Sequence, residues 1–205
     1  MSKVIVIAAP SGAGKTSLIE SLLKEDEDQK IKLGVSYTTR KKRENEINGL
    51  SYFFVSKDEF IGMHERNEFL ESAEVFGNLY GTNKSWVEKQ IKADSKVLLE
   101  LDWQGAKQVK SSFPDCLTLF ILPPSLQELK ERLMKRGLDD LDIVERRLSL
   151  AKKDISEGKS FDFLIINDVF ENSLNDLKKI ILEGKGLSKE RANKANNLLE
   201  ELLKN

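Results

Sequence analysis

Cysteine and histidine are nearly absent from this sequence, which has one of each, Cys116 and His64. A single cysteine excludes an internal disulfide bond and is typical of proteins from a reducing compartment, so we expect a cytoplasmic protein. A single histidine excludes a metal site built from several histidines. It also leaves any serine–histidine triad dependent on His64 alone.

The sequence also has no long apolar run and no excess of positive charge. Its longest apolar run, residues 4–9, is far shorter than the roughly 18 residues that span a membrane, and no signal-like segment opens the chain, so we expect no membrane partner. Lysine and arginine together number 33 against 34 aspartates and glutamates, a net charge of −1. Proteins whose main partner is a nucleic acid usually carry a basic excess, so we expect no nucleic-acid partner.

What the sequence does contain is typical of one folded domain of 205 residues, with 40% apolar and 33% charged side chains. Short β-branched apolar runs alternate along it with stretches in which apolar residues recur at helical spacing. The predicted strands are residues 4–8, 97–101, 117–122 and 163–166, and the predicted helices are residues 103–111, 125–136, 142–157 and 171–183. This alternation predicts an α/β fold in which helices cover both faces of a parallel sheet.

Residues 34–92 interrupt this alternation and divide the predicted core into residues 1–33 and 93–187. Within the interruption, residues 35–39 and 51–55 have the composition of strands with one exposed face. We therefore interpret the interruption as a small mixed α/β insert with largely antiparallel strands.

Two shorter segments complete the predicted organisation. Residues 136–146 are charged and poor in apolar side chains, and we interpret them as a short lid. Residues 188–205 predict a C-terminal helix with one apolar face, formed by Ala192, Ala195, Leu198, Leu199, Leu202 and Leu203. We expect this face to dock on the body of the domain, with self-association as the alternative, and we expect a monomer or a weak homo-oligomer.

A glycine-rich loop follows the first predicted strand and precedes a predicted helix. Residues 9–16 read Ala-Pro-Ser-Gly-Ala-Gly-Lys-Thr, a P-loop pattern with alanine in place of its first glycine. The loop amides and the helix N-terminus bind phosphate oxygens, Lys15 adds a positive charge, and the Thr16 hydroxyl suits Mg²⁺. The pattern predicts a nucleoside triphosphate site formed by Pro10, Ser11, Gly12, Ala13, Gly14, Lys15, Thr16 and Ser17.

Further motifs identify the family that the sequence resembles. These motifs are residues 35–40 (Val-Ser-Tyr-Thr-Thr-Arg), Arg43, Glu46, residues 48–49, residues 52–55, Glu71, residues 77–82, residues 100–105 and residues 166–168. In this order, and beside a P-loop, they resemble bacterial-type guanylate kinases from about residue 3 to about residue 184. The resemblance implies a P-loop fold with a GMP-binding insert and a lid. It also implies Mg²⁺-dependent phosphoryl transfer from ATP to GMP, giving ADP and GDP, in purine nucleotide metabolism and GMP recycling, with dGMP as a further acceptor.

The resemblance assigns the acceptor nucleotide to the insert. Its implied GMP-binding residues are Ser36, Arg40, Arg43, Tyr52, Glu71, Tyr80, Thr82 and Asp102. Forked arginine donors and tyrosine hydroxyls suit a phosphate dianion. A carboxylate such as Glu71 accepts hydrogen bonds from both guanine N1–H and the 2-amino group. Adenine lacks those two donors, so the site should reject it by about 10⁴-fold or more.

The resemblance also assigns the residues that act on the transferred phosphoryl group, namely Lys15, Arg132, Arg136 and Arg147. Arg132 and Arg136 are four residues apart, so on a helix they share one face. The resemblance implies two further roles. Asn167 would lie near the ATP adenine, and Glu100 would contact Mg²⁺ through water. Thr16 is the other predicted metal ligand.

Each of these residues also has a structural interpretation. Tyr52 and Tyr80 could be sheet aromatics, Arg40 and Arg43 part of a solvated turn, and Glu71 an exposed carboxylate. The lid arginines could be surface residues paired with Glu128, Glu131 or Glu145. Two other functions remain open, a non-catalytic guanylate-kinase-like module that binds proteins and a P-loop kinase for another nucleoside monophosphate. The intact Gly-Lys-Thr sequence and the lid arginines favour an enzyme, and the two carboxylates disfavour adenine.

Overall fold

The computed structural model describes residues 2–135 and 141–204, and for residues 141–144 and 146 it describes the backbone alone. In chain order, the described strands are β1 (Val4–Ala8), β2 (Ile31–Leu33), β3 (Tyr37–Thr38), β4 (Phe53–Phe54), β5 (Phe69–Val75), β6 (Asn78–Asn83), β7 (Lys96–Leu101), β8 (Leu117–Leu122) and β9 (Phe163–Ile166). The described α-helices are α1 (Lys15–Lys24), α2 (Lys57–Glu65), α3 (Lys84–Lys92), α4 (Trp103–Ser112), α5 (Leu126–Lys135), α6 (Leu141–Glu157), α7 (Phe170–Ile181) and α8 (Lys189–Lys204).

The main sheet has five parallel strands in the order β2-β7-β1-β8-β9. Strand β1 is central, with Ile5 opposite Leu98 on one side and Leu117 on the other. All five of its residues are buried, as expected for a strand with a packed layer on each face. The predicted parallel sheet is confirmed, with the addition of the short edge strand β2, which the sequence did not indicate.

Helices cover both faces of this sheet because successive strand side chains point in opposite directions. Ile5 and Ile7 pack into one buried cluster with α1 and α7, whereas Val4 and Val6 pack into another with Val109 of α4. The layered α/β architecture that the alternation predicted is therefore present. None of the helices in the described ranges combines the length and the apolar character needed to cross a membrane.

A second, four-stranded sheet occupies the predicted insert, in the order β4-β3-β6-β5. Strand β6 runs antiparallel to both β3 and β5, while β3 and β4 are parallel. Helix α2 covers this sheet, with Phe60 stacked on Phe69 at a centroid distance of 4.5 Å. Strand β6 and helix α3 were not predicted from the sequence. Val87 of α3 packs into the main-sheet cluster, so the segment 34–92 contacts both sheets.

Helix α8 docks on the body of the domain, which confirms the expected role of its apolar face. Ala195, Leu199 and Leu202 are buried in a cluster that includes Phe120 of β8 and Ile155 of α6. The predicted lid falls on residues 136–140, which lie outside the described residues, and on the first turns of α6.

Candidate active site

The phosphate-binding loop joins β1 to α1 and depends on two glycines. Gly12 and Gly14 both have a φ of 90°, a left-handed conformation that glycine adopts without strain. Gly14 is also the N-cap residue of α1, and no side chain caps that end of the helix. Because the first amides of a helix need acceptors, this end offers N–H groups to phosphate oxygens.

Asn167, at the end of β9, supports this loop from behind. It is buried, and its side-chain Nδ2 donates to the Ala13 carbonyl at 2.6 Å. A Cβ atom at Gly14 would collide with that same nitrogen, so the two residues fit because Gly14 has no side chain. The family resemblance implied a position near the ATP adenine for Asn167. The structure adds a contact with the loop backbone, and the adenine contact stays a prediction.

Lys15 begins α1 and reaches across to the carboxyl end of β7. Its Nζ donates to the Leu101 carbonyl at 2.6 Å and lies 3.9 Å from Glu100 Oε1. Burial lowers the pKa of Lys15, and the negative charges of Glu100, Asp102 and Asp154 oppose that shift. The ammonium group is thus held between the phosphate-binding loop and a set of carboxylates.

Thr16 and Glu100 lie together, as expected of residues that share a metal ion. The Thr16 hydroxyl donates to Glu100 Oε1 at 2.7 Å. Hydroxyl and carboxylate oxygens are the ligands that Mg²⁺ prefers, and nucleotide-bound Mg²⁺ takes few ligands from the protein. Among the described residues, no group of three or more histidine, cysteine, aspartate or glutamate side chains could hold a metal ion.

Glu71 is a buried carboxylate with an unused oxygen. It lies on β5 opposite Thr82 of β6 and is only 3% exposed. Burial raises the pKa of Glu71 to about 7, with a smaller contribution from Asp102, while hydrogen bonding from Thr82 opposes the rise. Its Oε1 atom has no hydrogen-bond partner among the described residues. Buried acceptors are normally satisfied, so this oxygen indicates a missing donor, such as a ligand would supply.

Asp102 is the N-cap residue of α4, and that role brings it close to Glu71. Its Oδ1 accepts from the Gly105 amide at 2.9 Å, and its Oδ2 accepts from Gln104 Nε2 at 3.1 Å. A Cβ atom at Gly105 would lie 2.7 Å from Glu71 Oε2, so the first turn of α4 packs directly against the Glu71 carboxylate. Each oxygen of a carboxylate has room for a second donor, so Asp102 can cap the helix and still bind a ligand.

The other two residues predicted to contact the base complete this pocket. The hydroxyl oxygens of Ser36 and Thr82 are 3.3 Å apart, and both residues are buried. Since Thr82 lies opposite Glu71, the structure brings Ser36, Glu71, Thr82 and Asp102 together, although they come from four separate segments of the chain.

The predicted phosphate-binding residues of the insert also converge. Both Arg40 amino nitrogens bind the Glu46 carboxylate, at 3.0 and 2.6 Å, and the Arg43 amide donates to Glu46 at 2.8 Å. The Arg40 guanidinium lies over Tyr52, with 5.4 Å from Cζ to the ring centroid. Tyr52 in turn meets Tyr80 edge to face, with ring centroids 5.8 Å apart.

Tyr52 keeps its hydroxyl proton throughout the physiological pH range. Burial raises the pKa of Tyr52 to about 12, and the negative charge of Glu100 adds to the rise. The phenol therefore remains a neutral donor. The influence of Glu100 also indicates that Tyr52 faces the end of β7 where Thr16 and Lys15 lie.

The predicted lid arginines have different positions. Arg132 lies against the phosphate-binding loop, where it donates to the Ala13 carbonyl at 3.5 Å and to the Asn167 carbonyl at 3.2 Å, and it pairs with Glu128. Arg147, on α6, lies over the ring of Phe76 in the insert, with 5.7 Å from Cζ to the centroid. Arg136 lies outside the described residues.

Two residues of the site were not assigned a role from the sequence. Glu46 holds Arg40 and the Arg43 backbone in place. Asp154 of α6 accepts a hydrogen bond from the Trp103 side chain, and burial together with Asp102 raises the pKa of Asp154 to about 6. The spacing in the sequence could have pointed to each of them. Glu46 follows Arg43 by three residues in one loop. Asp154 follows Arg147 by seven residues, about two helical turns, so Asp154 and Arg147 share a face of the helix.

Comparison with known proteins decides the family. The family model described as guanylate kinase matches residues 1–184. The chain belongs to the guanylate kinase family. A guanylate kinase from Nitrosomonas europaea is 48% identical over 181 residues, which cover 88% of this chain and 89% of the relative. A guanylate kinase from Coxiella burnetii is 44% identical over 202 residues, covering 98% and 97% of the two chains.

A solved structure agrees with these relatives. The crystal structure of guanylate kinase from Anaplasma phagocytophilum has a TM-score of 0.72 and 30% sequence identity, and the match covers 97% of this chain and 93% of that one. Guanylate kinases transfer a phosphoryl group from ATP to GMP, and we assign that activity to this chain. The alternatives of a non-catalytic module and of a kinase for another monophosphate find no support in these comparisons.

Proposed function

We propose that this guanylate kinase binds GMP in the pocket of Glu71 and ATP on the loop of residues 9–17, and that Lys15 lies between the two nucleotides. The observation that carries the assignment is the buried Glu71 carboxylate, which has an unpartnered oxygen and lies beside Asp102. Guanine offers two adjacent donors, N1–H and the 2-amino group, to that pair of carboxylates.

The same pocket explains why adenine would be a poor acceptor base. Adenine presents an acceptor at N1 and has no 2-amino group, so it would leave buried carboxylate oxygens unpaired. Ser36 and Thr82 are proposed to serve guanine O6 and neighbouring polar atoms. The proposed contacts address the base and the phosphate rather than the ribose, so we expect dGMP to be an acceptor as well.

The GMP phosphate is proposed to bind Arg40, Arg43, Tyr52 and Tyr80. This set combines positive charge with neutral donors, which holds the dianion in place while one of its oxygens attacks the γ-phosphorus of ATP in line. Glu46 supports the proposal because its two oxygens hold the Arg40 guanidinium in a fixed orientation.

The donor side is proposed to use the loop amides with Lys15, Arg132, Arg136 and Arg147. Phosphoryl transfer needs little covalent help from the protein, but it needs the charge of two nucleotides neutralised in one place. The contacts of Arg132 with the Ala13 and Asn167 carbonyls support its place beside the ATP phosphates. For Asn167 itself we keep the proposed position near the ATP adenine.

Mg²⁺ fits the residues at the end of β7, where Thr16 and Glu100 supply oxygen ligands, directly or through water. When bound, Mg²⁺ neutralises charge on the β- and γ-phosphates of ATP. Independently of the ion, Glu100 fixes the Thr16 hydroxyl and lies close enough to Lys15 to help orient its ammonium group.

We also keep three broader proposals. First, the chain is one domain with four parts: a core (1–33 and 93–187), a GMP-binding insert (34–92), a lid (about 136–146) and a C-terminal helix (188–205). The presence of two separate sheets supports the division into core and insert. The enzyme works as a monomer or a weak homo-oligomer, without nucleic-acid or membrane partners. It serves purine nucleotide metabolism and GMP recycling in the cytoplasm, where ATP and GMP are available, and the unpaired thiol of Cys116 suits that compartment.

A coupled ADP-release assay across GMP, dGMP, AMP, CMP and UMP tests the acceptor site. We expect turnover with GMP and dGMP and at least about 10⁴-fold lower kcat/KM with AMP. The same assay with Glu71→Gln should lose most of that discrimination, since a side-chain amide then meets a guanine donor. Unchanged GMP selectivity in this variant would remove Glu71 from the proposed base site.

A further inference from the structure

Phe76 has an unusual position for an aromatic side chain. It is the first of the two residues that join β5 to β6, and 47% of its surface is exposed. Phe76 and Gly77 both have positive φ values, 51° and 76°, as a type I′ hairpin turn requires. Asparagine or aspartate suits the first position of such a turn, whereas a bulky side chain there is strained.

The ring of Phe76 meets a charged group from a distant part of the chain. The Arg147 guanidinium of α6 lies over it, with 5.7 Å from Cζ to the ring centroid. This separation is within the roughly 6 Å at which a cation is attracted to an aromatic face. The contact links the helix after the lid to the tip of the hairpin that carries Glu71 and Tyr80.

We infer that Phe76 is a positioning residue for Arg147, an inference that rests on the role proposed above for Arg147 at the transferred phosphoryl group. An arginine side chain has many rotamers, and an aromatic face that attracts its guanidinium favours those that bring the charge over the ring. The charge is then already oriented when both nucleotides are bound, so less ordering remains for the transition state. A cation–π contact acts through the charge of the guanidinium and does not itself use an N–H group, so it is compatible with donation to phosphate oxygens.

The turn geometry separates this role from a purely structural one. Asparagine would serve the turn better than phenylalanine does, so the benefit of the ring lies outside the turn. A ring that acted only in folding would leave turnover unchanged when the turn is improved. A ring that orients Arg147 would lower turnover when it is lost, even if the hairpin becomes more stable.

The variants Phe76→Asn and Phe76→Trp test the inference. Phe76→Asn should lower kcat about threefold to tenfold and leave the KM for GMP within about twofold, with a melting temperature equal to or above that of the unmodified enzyme. Phe76→Trp retains an aromatic face and should keep kcat within about twofold of the unmodified enzyme. As a matched control, Ile61→Ala removes another exposed apolar side chain of the insert and should leave kcat unchanged.

A double-mutant cycle with Arg147→Met identifies the partner. In the Arg147→Met background, Phe76→Asn should lower kcat no further. An equal loss in both backgrounds, or a failure of Phe76→Trp to keep kcat, would overturn the positioning role. Normal turnover of Arg147→Met alone would instead show that the proposed role of Arg147 is wrong, and the inference would fall with it. If Arg147→Met is impaired but Phe76→Asn is not, the inference alone fails.

Discussion

At the scale of single residues, the two best-defined groups of the site are Lys15 and Glu71, and their environments are opposite. The Lys15 ammonium is satisfied by the Leu101 carbonyl, whereas one oxygen of Glu71 has no partner among the described residues. Lys15 can exchange a backbone carbonyl for a phosphate oxygen when ATP binds. Glu71 gains a partner only when a donor enters its pocket.

Replacing Lys15 should therefore affect chemistry more than acceptor binding. Lys15→Met removes a charge that stabilises the transferred phosphoryl group, and we expect kcat to fall about 10²- to 10³-fold. GMP affinity, measured by calorimetry, should change by less than about twofold. Lys107→Met, at an exposed position on α4, is the matched control and should behave like the unmodified enzyme. Equal losses in turnover and GMP binding would contradict the assigned role.

Glu71 should make GMP binding depend on pH. The pKa of Glu71 in the free protein is about 7, above its ordinary value, so the carboxyl is mostly protonated below that pH. Guanine donors favour the ionised form, so binding lowers this pKa and releases a proton. GMP affinity should consequently rise about tenfold between pH 6 and pH 8 and level off above that range.

Isothermal titration calorimetry in buffers of different ionisation enthalpy measures this proton release. The GMP phosphate also titrates near pH 6, so the control is Glu71→Gln, which keeps the phosphate contribution and loses that of the carboxyl. If the pH dependence of affinity is the same in the two proteins, Glu71 does not titrate on binding.

At the scale of secondary-structure elements, the first turn of α4 shapes the acceptor pocket. Gly105→Ala should favour the helix by about 1 kcal/mol from propensity alone. The new methyl group, however, would lie 2.7 Å from Glu71 Oε2 and must displace that carboxylate. We expect the KM for GMP to rise about tenfold or more, while the KM for ATP stays within about twofold.

Gly62→Ala provides the comparison for that variant. Gly62 lies in α2, and the nearest atom to its added Cβ is the flexible end of Arg66, at 3.1 Å. Gly62→Ala should leave the KM for GMP and the KM for ATP unchanged. A normal KM for GMP in Gly105→Ala would mean that the pocket tolerates movement of Glu71.

The elements that the sequence predicted correctly are those whose own residues determine them. Strands β1 and β9 are continuous apolar runs, and β7 and β8 are mostly apolar, as burial on both faces of a sheet favours. Strand β2 has only one buried residue, Ile31, and depends on β7 for its pairing. Strand β6 contains Asn78 and Gly81, which have low β-propensity, so its conformation comes from pairing with β3 and β5.

The same distinction holds for the site. The phosphate-binding loop is contiguous, so its spacing alone predicted strand, turn and helix. The acceptor residues were identified through family resemblance, because no local pattern shows that Glu71 and Asp102 share a pocket. The spacing of Asp154 from Arg147 placed both on one helix face, but its hydrogen bond with Trp103 of another helix appears only in the folded chain.

At the scale of the whole molecule, α8 stabilises the fold at a distance from the chemistry. Leu199 is buried against Phe120 and Ile155 in the cluster that α8 closes. Leu199→Ala should lower the free energy of unfolding by about 2–4 kcal/mol, because it leaves a cavity there. Chemical denaturation measures the loss, and kcat at 25 °C should be unchanged.

The exposed neighbour Asn197 offers the control for this prediction. Asn197 lies on the same helix but is exposed. Asn197→Ala should therefore change the free energy of unfolding by less than about 0.5 kcal/mol. A drop in kcat for Leu199→Ala under conditions where the protein is fully folded would mean that α8 also influences the site.

The position of Asn167 behind the phosphate-binding loop has a consequence for biosynthesis. A ribosome makes the loop of residues 9–17 first and the asparagine that supports it more than three-quarters of the way along the chain. The central strand β1 likewise waits for β7 and β8 before both of its edges are paired. A nascent chain therefore carries its nucleotide-binding loop unsupported through most of translation, and it should become able to hold ATP only near the end of synthesis.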